Sequence, residues 1–261
     1  MLPASWYKAL LLFLWIAPHL LLGVVAVVLC QRRLYRKFPC FFVYVLYEIA
    51  EFILLFAMYS VLGLTSKPYA YAYCATLLFS IALRFGVIDE VSKDLFRESQ
   101  FLKVTARRLL QGVAGLLLVV AILLAVYSPG DNRFGFVGGI LVINRGAAMV
   151  QIGLLLYLLL FSSFQGLYWR RPAFGIALGV AILTSVDLAI YALRAVFASV
   201  AGQAILSLLT TGISFVCVSI WIGYLRAPEV EPASLVVVPH GVVISPNEVE
   251  AWSRELQHLL R

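Results

Sequence analysis

The sequence predicts an all-α polytopic membrane protein: seven transmembrane helices, N-terminus outside, C-terminus cytoplasmic, and a short cytoplasmic tail. Of its 261 residues, 63% are hydrophobic and only 13% are charged, and mean hydropathy is +0.98. So little polar surface cannot coat a soluble globule. Apolar runs of about 20 residues, the length that spans roughly 30 Å of hydrocarbon, recur between short polar or basic connections. Those connections carry their Lys and Arg with a strong bias to one side.

The seven runs are Ala9 to Cys30, Phe38 to Gly63, Tyr69 to Ile88, Leu109 to Tyr127, Arg145 to Gly166, Phe174 to Leu193 and Ala204 to Tyr224. In the first, the basic cluster follows the apolar stretch and no small-x-small cleavage pattern is visible, so it reads as a retained span and not a signal peptide. The fifth has an ambiguous start. Phe134 to Ile143 is also apolar and carries Gly135, Gly138 and Gly139, which fits either a longer helix or a re-entrant segment.

Basic residues set the orientation. Arg32, Arg33, Arg36, Lys37, Lys93, Arg97, Lys103, Arg107, Arg108, Arg170, Arg171 and Arg226 fall on one side, against Lys8, Lys67 and Arg133 on the other. Twelve against three puts the first side in the cytoplasm. The formal net charge of +7 is accounted for by topology, so no nucleic-acid partner is expected. Aromatic residues at the boundaries agree, with Trp6, Tyr7, Tyr69 and Tyr127 outside and Tyr168, Trp169, Trp221 and Tyr224 inside.

Two segments lie outside the bilayer. Asp89 to Arg108 is the longest cytoplasmic connection, and its apolar positions Val91, Leu95, Phe96 and Leu102 predict helical continuations of spans three and four. The bundle should occupy residues 1–225 and the tail 226–261. Within the tail, Pro228 to Pro232 reads as a stiff acidic linker, and the β-branched runs around Pro239, His240 and Gly241 as a hairpin or extended pair. Ser245, Pro246 and Glu248 form a capping box opening a helix, with Val249, Trp252 and Leu256 on one side. That apolar side must bury against the protein's own loops, a cytoplasmic partner or lipid. Three Glu on this helix disfavour lipid.

Charged groups inside spans are the functional signal, because an unpaired acid at mid-membrane costs on the order of 2 to 3 kcal/mol. Glu48 and Glu51 are three residues apart on one helix and near mid-membrane. His19 lies at similar depth. Span six carries Thr184, Asp187, Tyr191 and Arg194 in steps of three and four; span three offers Tyr73, Thr76, Ser80 and Arg84; span seven offers Gln203, Ser207, Thr210, Thr211 and Ser214. Arg145, with Asn144 and Gln151, opens span five. Polar stripes on several helices face one another and not lipid. Span four, without a polar residue from Val113 to Val126, belongs at the periphery.

The expected site is therefore an outward-leaning polar cavity lined by Glu48, Glu51, His19, Asp187, Tyr191, Arg194 and Arg145. The alternative is a set of closed pairs that only fix helix packing. The hydroxyls of span seven are expected to serve packing. Cys30, Cys40, Cys74 and Cys217 read as small apolar fillers without metal-like spacing. Of the three histidines, two lie in the tail, so a histidine-rich intramembrane zinc site cannot be built. No lysine follows Lys103, which removes a retinal Schiff base in the last span. No GxSxG, P-loop or HExxH pattern appears, and no cofactor, metal or catalytic constellation is expected.

These features point to a binding or sensing module for a small molecule or proton, coupled to the Asp89 to Arg108 connection and the Ser245 to Arg261 helix. A proton- or ion-coupled small-solute carrier and a structural or assembly subunit are the alternatives; an enzyme is the least favoured class.

Overall fold

The computed structural model describes residues 4–63, 66–97, 112, 115, 135–164, 169–196 and 200–227. Among these, secondary structure is entirely helical. The long helices are α1 (Ala4–Gln31), α2 (Pro39–Leu62), α3 (Lys67–Leu95), α4 (Gly135–Phe164), α5 (Arg171–Val196) and α6 (Val200–Arg226), with a 3-10 turn at Leu34–Arg36. Five stretches are long and apolar enough to cross a membrane: Pro39–Leu62, Lys67–Leu95, Val142–Phe164, Arg171–Leu193 and Ile205–Arg226; Ile16–Gln31 is a shorter apolar helix. The chain is a multi-pass helical membrane protein. The expected span over Leu109 to Tyr127, apart from residues 112 and 115, and the tail hairpin and helix lie outside the described residues.

Helix ends follow local chemistry. Arg33 adopts a left-handed conformation (φ 54°), a strained state for a residue with a Cβ, and it separates α1 from the 3-10 turn. Pro39 and Pro68 sit in the first turns of α2 and α3, where their missing N–H groups would be unpaired anyway. Phe38, at the N-cap of α2, has no side chain able to cap. Glu90 of α3 does this instead: Cys40 N–H donates to Oε1 and Phe41 N–H to Oε2, each at 3.0 Å. At the far end of α2, Gly63 takes φ 75° and donates its N–H to the Tyr59 carbonyl. The ambiguous segment before span five resolves as helix from Gly135, so no re-entrant turn occurs over 135–143. Span three continues as helix to Leu95, as its apolar positions predict.

Each helix packs on its sequence neighbour, α3 meets α4 directly, and α6 closes the ring against α1; α5 also touches α3 across the middle. Pairings give the directions. Glu48 meets Ser80 and Phe41 meets Glu90, so α2 and α3 are antiparallel. Gln151 meets Ile81 and Phe161 meets Phe96, so α3 and α4 run parallel.

The core lies toward the end where α1, α3, α4 and α6 finish and α2 and α5 begin. Leu29, Phe38, Phe41, Val45, Ile88, Leu158, Ile176, Trp221 and Leu225 are all buried there. Gly175 and Gly179 make this end possible: a Cβ at Gly179 would overlap the Trp221 indole, and one at Gly175 the Tyr224 ring. Two glycines one turn apart thus let two aromatic side chains of α6 lie on the backbone of α5. Arg32 ties the same end together, donating from Nη1 to the Ala227 carbonyl at 2.8 Å. The outward surface is apolar, with Val27, Val43, Ile53, Leu54, Leu78, Phe79, Leu160 and Val216 exposed, as suits a chain whose solvent is hydrocarbon.

Candidate functional site: a polar cavity between five helices

Next to this core the helices part around a partly open cavity of about 260 Å³. Pro18, His19 and Leu22 come from α1, Tyr44 and Glu48 from α2, Arg84 from α3, Leu183 and Asp187 from α5, and Thr210, Thr211, Ser214, Val218 and Trp221 from α6. Five of the six long described helices thus contribute to one space. Pro18 has no N–H for its helix, a gap that membrane helices tolerate when neighbouring groups or a cavity adjoin it.

The charged centre is Arg84. Its Nη1 donates to Asp187 Oδ2 at 3.0 Å, joining α3 to α5, and both side chains are mostly buried, at 17% and 28% exposure. The Tyr44 hydroxyl borders the same guanidinium, and Glu48 acts on it through space. Ser80 donates to Glu48 Oε1 at 2.8 Å. Arg84 Nε is buried without a hydrogen-bond partner. Two carboxylates on separate helices therefore flank one guanidinium, and the formal balance is −1 with His19 neutral.

Aromatic rings form the core side of the cavity. Trp221 meets Phe41 edge-on at 5.2 Å and Tyr44 edge-on at 6.3 Å, and its Nε1 donates to the Ile176 carbonyl at 3.4 Å. His19, on another wall, stacks on Phe52 with ring centroids 3.9 Å apart.

Of the seven residues expected to line the site, the structure brings together His19, Glu48 and Asp187. Glu51 lies beside Tyr47 and Thr76, against α3, and does not line the cavity. A step of three on a helix turns a side chain about 60° from its starting direction, enough to move Glu51 into the α2–α3 groove. Tyr191 accepts a hydrogen bond from Asn144 Nδ2 at 2.8 Å and so belongs to the α4–α5 contact. Arg145 is exposed and is not part of the lining. The Arg194 side chain lies outside the described residues.

The expected lining omits Tyr44, Arg84 and Trp221 and gives the hydroxyls of α6 to packing. Two of these carry a local signal: Tyr44 is one turn from Glu48 on the same face, and Arg84 is one turn from Ser80 in the span-three stripe. Thr210, Thr211 and Ser214 do line the cavity, although each hydroxyl donates its proton one turn back, to Leu206, Ser207 and Thr210 carbonyls. Trp221 reads from sequence as a boundary aromatic, and nothing in its local pattern distinguishes it from one.

Among the described residues no cluster of three or more His, Cys, Asp or Glu is placed to hold a metal. Comparisons with protein-family models, curated proteins and solved structures give no match. The functional reading therefore rests on the cavity itself.

Proposed function

We propose that this chain is a seven-span membrane protein, N-terminus outside, that binds a small polar molecule in the cavity and transmits its occupancy to the cytoplasmic side. The carrying observation is the convergence of five helices on one partly open space holding an ion pair and a further carboxylate. Intramembrane ionisable groups of this kind mark functional sites by default. A seventh span is supported by the parallel course of α3 and α4, since two successive parallel helices call for one further crossing and the apolar run Leu109 to Tyr127 has the length for it. Sidedness rests on the twelve-to-three distribution of basic residues.

Transmission has a physical route. Tyr44 and Trp221 border the cavity and pack on Phe41, whose N–H is held by Glu90 near the end of α3. A ligand that alters the Arg84–Asp187 pair would bias how α3 sits against α5 and change the presentation of Asp89 to Arg108. Binding shifts such an equilibrium only through its differential affinity for the two arrangements. The segment Ser245 to Arg261, whose capping box and apolar side read as a helix, is proposed as a second surface for a cytoplasmic partner.

The test is a thermal-shift screen of small polar metabolites on the purified chain and on Ser214→Phe, which fills the cavity. At least one compound should stabilise the native chain and leave the filled variant unchanged. Hits retained in Ser214→Phe, or none across the library, would defeat the reading. A second reading, a proton-coupled carrier, is favoured by the two carboxylates flanking one guanidinium, an arrangement suited to proton relay. Uptake of a hit compound into proteoliposomes, abolished in Glu48→Gln, would select the carrier.

A further inference from the structure

We infer that the cavity's ligand is a small organic cation bearing several N–H donors, an alkylammonium or guanidinium compound. The inference rests on the binding reading above and specifies its chemistry. It follows from counting which hydrogen-bonding groups on the wall are already engaged.

Leaving His19 aside, most donors on the wall are committed or sealed, the Arg84 Nη2 amino group being the exception. Trp221 Nε1–H goes to Ile176 O, and the hydroxyl protons of Thr210, Thr211 and Ser214 go to backbone carbonyls of their own helix. Arg84 Nη1 is engaged by Asp187, Tyr44 borders the guanidinium, and the unpartnered Nε is closed off from contact. The acceptors are different. Ser80 engages only Oε1 of Glu48 and Arg84 engages only Oδ2 of Asp187, leaving the second oxygen of each carboxylate. A hydroxyl oxygen that has donated its proton still has lone pairs to offer, so three further acceptors come from α6.

Charge agrees with hydrogen bonding. Glu48 and Asp187 against Arg84 give the wall two carboxyl groups to one guanidinium, a formal excess of one acid that a cationic ligand would match. Tyr44 and Trp221 add aromatic rings, which favour cations over anions. Size excludes the extremes. About 260 Å³ is slightly below the ~300–1,000 Å³ usual for ligand pockets, so the occupant is smaller than a typical cofactor, and a bare ion would leave most of the space to water.

The experiment titrates the full-length protein in nanodiscs, by isothermal calorimetry, with near-isosteric probes: guanidinium against urea, propylammonium against propionate, and sodium alone. Guanidinium and propylammonium should bind saturably and at least ten-fold tighter than urea, propionate or sodium. Glu48→Gln should weaken the cations ten-fold or more. Thr211→Val, which removes one acceptor at constant shape, should weaken them two- to five-fold with its melting temperature unchanged. Tighter binding of propionate or urea than of the cations, or equal binding of sodium, would overturn the cation assignment. Binding of propionate or urea that is lost in Ser214→Phe would still leave the cavity reading standing, whereas failure of all probes and of the metabolite screen would remove both.

Discussion

Arg84 of α3 and Asp187 of α5 meet at 3.0 Å, with no more than 28% of either side chain exposed. Removing one member leaves a buried charge without its partner, which costs about 3–5 kcal/mol, whereas replacing both by apolar groups is often neutral. Asp187→Ala should therefore lower the unfolding free energy in detergent by ~3 kcal/mol, and Arg84→Met with Asp187→Leu and Glu48→Gln, which also removes the second acid beside the guanidinium, should recover most of the loss. Denaturant titrations of the single and triple variants measure the difference. A triple variant no more stable than Asp187→Ala would mean that these charges are not coupled.

Glu90 supplies both acceptors at the start of α2, a helix whose own N-cap residue, Phe38, has none. Glu90→Ala should destabilise by about 1–2 kcal/mol, the usual cost of losing a cap. Glu90→Gln keeps one acceptor oxygen and should cost less. Amide exchange reads this locally: Cys40 and Phe41 should lose protection in Glu90→Ala first, before amides in the middle of α2.

Gly179 lies under the Trp221 indole. Gly179→Ala should force α5 and α6 apart and cost about 1–3 kcal/mol, the range for overpacked cores. Because the overlap is with the indole Nε1 side, Trp221→Phe in the same chain should restore part of the stability. Thermal melts of the two singles and the double would show this as negative coupling; two independent losses would place the close contact elsewhere.

Orientation is open to a chemical test. In a chain whose four cysteines are replaced by serine, Ser66→Cys should react with a membrane-impermeant maleimide on intact cells, and Arg33→Cys should react only after permeabilisation. The reverse pattern would invert the proposed topology.

Much of the fold was readable because bilayer thickness imposes a length on each apolar run, and Pro39, Pro68 and Gly63 mark helix ends by backbone chemistry alone. The cap on α2 was not readable, since Glu90 acts from 49 and 50 residues away and no local pattern announces it. At the site, His19, Glu48 and Asp187 border one cavity. Glu51 and Tyr191 sit beside it, because a helical step of three or four residues fixes direction only to within tens of degrees. Those few tens of degrees decide whether a side chain enters a cavity or a groove beside it. The α6 hydroxyls show a related limit: a proton given back to the helix and an oxygen offered to a cavity look identical in sequence.

Trp221 rests on a glycine of α5, touches two rings of α2 and borders the cavity, so its indole samples helix packing and occupancy at once. The chain thereby carries its own optical reporter. With the other four tryptophans, Trp6, Trp15, Trp169 and Trp252, changed to phenylalanine, emission colour and quenching at this single position would follow hydration of the space without any added dye.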